Sequence, residues 1–538
     1  MNATPPLERE RRGKVWLVGA GPGDPGLLTL KAARALAECE TLVYDYLASP
    51  AIIALAPPHC EKIYVGKKAG AHTLTQDEIT ALLVRLGREG KEVVRLKGGD
   101  VFVFARGGEE AAALRAAGVP FEIVLGITSA LAAPAYAGIP VTHREHNTSF
   151  TIATGHEDPT KDFSSLDFTK LATPTQTLIF LMAMGNLVGI IDRLRENGMP
   201  GDLPVAIVRE ATKPTQATIV ATLDTIVAEV ERTQFAAPAV VVIGNVVRER
   251  ERTRWFDATP LFGKRVLVTR PQHSAAEFAR RLWESGAEPV IAPAIALGPP
   301  DDPEPAYRAV RRLDAYAWIV FTSQSGVDAA FTLLSDDDGD ARRFGRARIA
   351  AIGSATAQRL RSHGIRADYV PAEFVAEELA AGLVERSNEG DSILLFGAQE
   401  MREALASVLR ARGRAVDAVA AYKTSAVIDA ALADLAETCD VWTFASASAV
   451  RSFVANVPGA AELAQDKTIA CIGPITAEAI RDAGLTPDVV AADSTTEGLL
   501  AALSSLPTQA PTAPPPARTP AASLPTASLR SGRTPTSS

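Results

Sequence analysis

The stretch Val15–Asp24, VWLVGAGPGD, constrains this chain more than any other. Val15–Val18 are apolar without alternation, which fits a strand buried on both faces of a parallel sheet. The strand runs straight into Gly19-Ala20-Gly21-Pro22-Gly23-Asp24. Glycine there permits a sharp turn and lets a ligand approach the main chain. Leu27, Leu28, Leu30, Ala33 and Leu36 follow with helical spacing. Strand, glycine loop and helix in this order make the ligand site of an open α/β sheet, although a tight turn without a ligand uses the same residues. A dinucleotide loop needs a third glycine for close helix packing. Counting GxGxxG from Gly19 puts Asp24 there, with Pro22 and Pro25 on either side. So stiff and acidic a loop suits a ligand without phosphates better than a diphosphate. Asp45, after the strand Thr41–Tyr44, is the ribose-binding acid in the competing dehydrogenase reading, which stays open on these residues alone.

At 538 residues the chain exceeds one domain. No apolar run reaches transmembrane length, and Met1–Arg12 has no apolar signal core, so a cytoplasmic protein without a membrane partner is expected. Cys39, Cys60, Cys439 and Cys471 form no CxxC pair, which fits a reducing compartment. His143-x-x-His146 is the one close histidine pair, on the polar run THREHN, and no metal is expected from it. A net charge of −8 argues against nucleic acid as the main partner and requires a local basic pocket for any anionic substrate.

Residues 1–13 read as a frayed start. Further strands at Glu92–Leu96 and Phe121–Leu125 also run into glycine turns, Lys97-Gly98-Gly99-Asp100 and Gly126-Ile127-Thr128-Ser129. In an open parallel sheet such loops converge on one ligand crevice. Polar residues fill 155–175. A second α/β stretch, Thr177–Val247, has strands at Leu178–Met182, Val205–Val208, Ala217–Val220 and Ala239–Ile243. The charged run Arg248–Arg254 reads as a solvated domain end. A new unit opens at Arg265–Thr269 and contains an internal repeat. Ile352-Gly353-Ser354-Ala355-Thr356-Ala357 recurs 120 residues on as Ile472-Gly473-Pro474-Ile475-Thr476-Ala477, and Trp318–Val327 recurs 123 residues on as Val441–Val450. Two related lobes facing each other would make a cleft. Their hydroxyl-rich turns, with Thr322, Ser323, Ser446 and Thr476, can receive carboxylates or simply cap helices. From Leu506 to Ser538 the composition of Pro, Ala, Ser and Thr reads as a disordered tail.

These motifs resemble two known families. VGAGPGDPGLLTLKA (18–32), VYDYL (43–47), VGKKAG (65–70), VVRLKGGD (93–100), FARGGEE (104–110) and GITSALAAPAYAGIPVTHR (126–144) resemble uroporphyrinogen-III C-methyltransferase over about 14–257. VLVTRP, FTSQSGV, AIGSATA, AAYKT and CIGPITA resemble uroporphyrinogen-III synthase over about 263–505. The first resemblance implies an α/β fold of two subdomains, about 14–150 and 151–257. The second implies a two-lobed α/β fold, with 263–297 joined to 425–505 as one lobe and 298–424 as the other. The implied activities are closure of hydroxymethylbilane to uroporphyrinogen III with inversion of the last ring, then two methylations from S-adenosylmethionine to precorrin-2, the branch to sirohaem and cobalamin. A homodimer through the methyltransferase half is among the implied partners.

The methyltransferase resemblance places a proton acceptor on Asp45 and a proton donor on Lys67. It places S-adenosylmethionine contacts on Pro22, Gly98, Gly99, Asp100, Val103, Thr128, Ser129, Met182 and Ala211. The sequence departs from the family pattern at Val101, Ala105 and Leu125, none of which removes a chemical group. The synthase resemblance places its principal candidate on Tyr422, adds Thr476, and implies no metal or organic cofactor. Both substrates carry eight carboxylates, so Arg106, Arg144, Arg270, Arg402 and Lys423 are candidate partners for them. The rivals are an NAD-dependent dehydrogenase fused to a two-lobed binding module, a solute receptor, and a methyltransferase with a non-catalytic synthase-like half.

Overall fold

A computed structural model of the chain describes residues 13–66, 74–155, 166–372, 376–400 and 403–507. The loose ends expected at 1–13 and 506–538 fall almost wholly outside them. Of the parts described, Gly13 is buried and Leu506 still donates its N–H to Leu503. The chain divides into two compact units, one ending at Gly263 and one spanning Lys264–Pro507. Among the described residues no helix is long and apolar enough to cross a membrane.

The first unit opens with β1 (Lys14–Gly19), β2 (Thr41–Tyr44), β3 (Glu61–Tyr64), β4 (Glu92–Lys97) and β5 (Phe121–Val124). They form one parallel sheet in the order β3-β2-β4-β1-β5. Side chains alternate across it. Val94 and Leu96 of β4 enter a core with Leu36, Leu42 and Val18, while Val93 packs on the other face with Leu17, Leu83 and Leu86. The helix expected from Leu27 starts only at Leu30. Asp24 caps a short 3-10 turn at Pro25–Leu27, and Thr29 caps the helix proper. Two successive caps on a Pro-Gly segment delay the helix by three residues.

A second sheet follows from β6 (Phe150–Thr154), β7 (Thr177–Leu181), β8 (Pro204–Arg209), β9 (Ala217–Thr222) and β10 (Ala239–Ile243), in the order β6-β7-β10-β8-β9. Only β6 and β7 pair in parallel; the remaining pairs are antiparallel. The strand expected to reach Met182 stops at Leu181, because Met182 adopts a left-handed backbone, φ 55°. The charged run 248–254 is exposed at Arg248 and from Glu251 to Arg254, as expected of a solvated end, but two of its residues turn inward. Glu249 is buried, Arg250 bonds the Ala137 carbonyl and Asp257, and Thr253 Oγ1 donates to Gly138 at 2.5 Å. Trp255 and Phe256 each lie 4.9 Å from the Tyr136 ring, and Leu261 is buried. Phe256 and Leu261 thus anchor the segment up to Phe262, while Trp255, Ala258 and Pro260 between and before them stay exposed.

The second unit contains β11 (Arg265–Val268), β12 (Glu288–Ile291), β13 (Ile295–Gly298), β14 (Trp318–Phe321), β15 (Arg348–Ala351), β16 (Ser392–Ala398), β17 (Ala415–Ala426), β18 (Val441–Phe444), β19 (Thr468–Cys471) and β20 (Val489–Val490). These make two five-stranded sheets, β12-β11-β18-β19-β20 and β13-β17-β16-β14-β15. The lobe boundary expected at 297/298 cuts through β13, which pairs antiparallel with β17 in the second sheet. The sequence repeat is a structural one. β14 and β15 neighbour each other in one sheet as β18 and β19 do in the other, and each strand leads into a helix. The repeat also extends further than the motifs: Asp368 accepts the Ile349 N–H and Asp488 the Ile469 N–H, each at 2.7 Å and each across 19 residues.

Candidate active sites

In the first unit, the loops after β1, β4 and β5 meet through bare backbone. Gly21 and Gly99 exchange both N–H···O bonds, at 3.1 and 2.8 Å. A Cβ on Gly19 would lie 2.5 Å from the Gly126 nitrogen, and one on Gly126 would lie 2.2 Å from the Gly99 oxygen. No side chain fits at either position, so glycine is required by space and not only by turn geometry. Gly98 is pressed onto Leu47, the residue two beyond Asp45. Asp100 accepts the N–H of Phe102 at 2.8 Å and of Gly126 at 3.1 Å, so its two oxygens tie the loops together. Thr128 caps the helix that starts at Ser129. Val103 packs against a cluster containing Leu181, Ala130 and Ala211, which brings the cofactor candidates of both sheets to one place. Asp24, the residue in place of the third glycine, makes the link. Its carboxylate accepts from Tyr136 Oη at 2.6 Å and from the Gly26 N–H at 2.7 Å, and its own N–H donates to Thr212 Oγ1 at 3.0 Å.

Asp45 sits at the end of β2 in a network that sequence reading missed. Its Oδ2 accepts from Arg95 Nη2 at 3.2 Å and its Oδ1 from the Leu47 N–H at 3.2 Å. Arg95 Nε, Lys97 Nζ and Gln76 Nε2 all donate to Glu110 Oε1, at 3.3, 3.0 and 3.0 Å. Arg95, Lys97 and Glu110 are buried. Burial pushes the Lys97 ammonium below its ordinary range, and the neighbouring Arg95 charge pushes it the same way, against the pull of Glu110. The signal was present: two cations at i and i+2 on an otherwise buried strand share a face and need a buried acid. Lys67 lies outside the described residues. Gly66 before it would place a Cβ 2.9 Å from the Tyr46 nitrogen, so the chain enters that segment beside the Asp45 loop. Arg106 is exposed and paired with Glu109, whose carboxyl it holds below the usual range; Arg144 is exposed.

In the second unit, Tyr422 lies near the end of β17, where the register with β16 shifts at Gly397/Ala398. A bulge there re-aims the side chain. Its hydroxyl meets Ser323 Oγ at 3.1 Å, and burial raises its pKa above that of a free phenol. Ser323 and Ser446 are the equivalent N-caps of the two lobes, accepting from Gly326 at 2.9 Å and Ala449 at 3.2 Å, so capping is one established role for both. Thr322 donates weakly to Phe396 at 3.4 Å, and Thr476 is buried in its helix. Lys423 is paired with Asp301 at 2.5 Å. Arg402 lies outside the described residues. Arg270 is buried over the Phe278 ring and donates to Thr496 Oγ1 at 2.7 Å. Among the described residues its Nε and Nη2 have no hydrogen-bond partner.

Two family descriptions match along the chain: tetrapyrrole (corrin/porphyrin) methylases over residues 14–227, and uroporphyrinogen-III synthase HemD over residues 276–501. The porphyrin biosynthesis protein HemD of Ruminiclostridium josui is 37% identical over 492 residues, covering 91% of this chain and 97% of that one. The chain belongs to both families, as a uroporphyrinogen-III C-methyltransferase joined to a uroporphyrinogen-III synthase. An S-adenosyl-L-methionine-dependent uroporphyrinogen III methyltransferase of Methanosarcina barkeri is 52% identical over 235 residues, 44% of this chain and 92% of that protein. The siroheme synthase of Azotobacter vinelandii is 48% identical over 246 residues, and there the match spans only 52% of the relative's length and 46% of this chain.

The methylase unit concentrates backbone strain at its candidate site. Among the described residues, the non-glycine residues with positive φ are Phe104, Arg106, Met182, Glu210, Thr212, Gln234 and Asp338. The first five flank or contain the cofactor candidates Val103, Met182 and Ala211. Strain of this kind persists where the surrounding structure over-determines it, and it gathers at ligand sites. The synthase unit shows one such residue among those described, Asp338, 84 residues before Tyr422.

Proposed function

We propose that the methylase unit transfers two methyl groups from S-adenosylmethionine to uroporphyrinogen III, giving precorrin-2, and that the synthase unit forms uroporphyrinogen III from hydroxymethylbilane. The observation that carries this reading is the convergence of a glycine-only backbone cradle (Gly19, Gly99, Gly126) with an apolar rim on the same strand ends. Tyr46, Leu47, Phe102, Phe104, Leu125, Ile127 and Met182 are all more than a third exposed. A rim of that kind suits a large, mostly apolar ring system. The loops fit S-adenosylmethionine, a ligand held by main chain, because Gly21 and Gly99 leave their backbone open: a Cβ on either would meet nothing closer than 3.6 Å. Pro22, Gly98, Gly99, Asp100, Val103, Thr128, Ser129, Met182 and Ala211 would hold this ligand, which supplies an electrophilic methyl group on sulfur.

The chain's own groups do the rest. Asp45, held by Arg95 and by the Leu47 N–H, takes the proton left after carbon methylation, and Lys67 supplies one. In the synthase unit, Tyr422 steadies departure of the substrate hydroxyl, while closure protects the resulting cation from water. Arg270 receives a substrate carboxylate on the two nitrogens that the protein leaves unpartnered. The two halves work as separate enzymes on one chain, with the division at 263/264.

The test is the full chain with hydroxymethylbilane and S-adenosylmethionine, followed by chromatography of the oxidised products and calorimetry of ligand binding. Dimethylated product, with S-adenosylmethionine bound and NAD not bound, is expected. NAD binding without S-adenosylmethionine binding would restore the dehydrogenase reading. Methylation only of added uroporphyrinogen III would leave the synthase half without activity.

A further inference from the structure

The polar run THREHN, from which no metal is expected, gains a third group in the fold. His143 and His146 lie in a turn joining the two sheets of the methylase unit, and Glu249 comes from 103 residues further on. One ligand atom from each lies within 4.8 Å of the other two. The imidazole rings are 5.0 Å apart. His146 Nε2 is 2.9 Å from Glu249 Oε1, and Glu249 is buried, its carboxyl held below the usual range by His146. The turn is preorganised. Asn147 Oδ1 accepts the His143 N–H at 2.7 Å, while its Nδ2 donates to Val141, Ser149 and Thr177 at 2.9–3.0 Å. His143 Nδ1 accepts the Glu145 N–H at 3.3 Å, leaving Nε2 as its ligand atom. Among the described residues the other cation at the carboxylate is Arg252, 3.6 Å from Glu249 Oε2 and mostly exposed, so it can swing away.

We propose that His143, His146 and Glu249 bind a divalent transition metal of the zinc class. Two imidazoles and one carboxylate are a known three-ligand set for zinc, leaving a fourth position for water. Tetrahedral zinc spaces its ligand atoms about 3.4 Å apart, so side-chain rotation of about 1 Å closes the set. Both histidines bind as neutral imidazoles. The metal bolts the turn between the two sheets to the segment before Arg250, and it fixes the backbone on which Arg144 stands between its two ligands. The site is separate from the Asp45 network and does not depend on the methyl-transfer reading.

The test is titration of the untagged, chelator-treated full chain with Zn²⁺ and Co²⁺, read by calorimetry and by the visible absorption of bound cobalt. One high-affinity equivalent is expected, with a raised melting temperature. His143→Gln, His146→Gln and Glu249→Gln should each weaken binding at least tenfold, while the exposed His59→Gln should not. Binding that survives all three ligand variants, or no binding to the wild-type chain at micromolar metal, overturns the site. If His146→Gln fails to fold, His143→Gln decides, because the His143 ring accepts only a long hydrogen bond among the described residues, from the Glu145 N–H at 3.3 Å, and its loss costs little stability.

Discussion

Arg95 and Lys97 in the methylase unit and Arg270 in the synthase unit are all less than a tenth exposed, at the C-terminal edge of a parallel sheet. Their surroundings differ. The first two share Glu110, and Arg95 also reaches Asp45, so two cations meet two anions. Among the described residues Arg270 has a hydroxyl, a ring face and a distant Glu497, and two of its nitrogens have no hydrogen-bond partner. A self-neutralised cluster is a framework that positions something else, here Asp45. A buried guanidinium without an acceptor stores desolvation cost that an incoming carboxylate relieves.

The sharpest way to break this contrast is Glu110→Ala. It leaves two buried cations facing each other and should cost about 3–5 kcal/mol of methylase-unit stability, seen in denaturant melts. Asp45→Asn comes next. It should lower kcat for methylation about 10²–10⁴-fold while S-adenosylmethionine affinity stays within about tenfold. Equal loss of binding and turnover would make Asp45 a cofactor ligand instead. Tyr422→Phe removes one oxygen at little change of volume. It should slow ring closure about 10²–10³-fold and shift the product from isomer III towards isomer I, which forms without enzyme. An unchanged rate and isomer ratio would leave Tyr422 with packing alone.

The smallest effect is expected at Arg270. Arg270→Met should leave stability unchanged or slightly higher near neutral pH, while raising KM for hydroxymethylbilane about 10–100-fold. Burial brings the Arg270 guanidinium down to about 10. The unfolded chain therefore keeps that proton at pH values where the folded chain has lost it. Wild-type stability relative to Arg270→Met should rise with pH from about 10 upward. A stability difference that falls with pH over that range would mean Arg270 is already paired.

The outline of both units was legible in the sequence. Strand-to-glycine turns at Gly19, Gly98 and Gly126 mark a ligand edge because backbone packing admits no side chain there. The paired FTSQSGV and WTFASAS motifs mark equivalent strands of two lobes. What escaped depends on partners distant in sequence. Glu110 is 13 residues from Lys97, Asp45 is 50 from Arg95, and Glu249 is 103 from His146. Local periodicity carries no information on such pairs. The same holds for Arg250, which reads as solvated charge until the fold brings it to the Ala137 carbonyl, 113 residues away. Met182 escaped for another reason: an apolar residue after an apolar run looks like strand, and only its positive φ ends β7.

One consequence follows from the order in which the synthase unit is made. β11 lies between β12 and β18, and its register partner for Val266 is Val441. At about 5–20 residues per second, that partner leaves the ribosome roughly ten to thirty seconds after β11. Throughout that interval one edge of β11 is bare. By the end of that interval the whole sheet from β13 to β17 has been made, and the chain enters and leaves it at Ala294 and Val427, whose backbones are hydrogen-bonded to each other. The inserted lobe thus closes first and brings the late strands to the waiting one, so defects in residues 295–426 should appear as misassembly of strands that lie outside them.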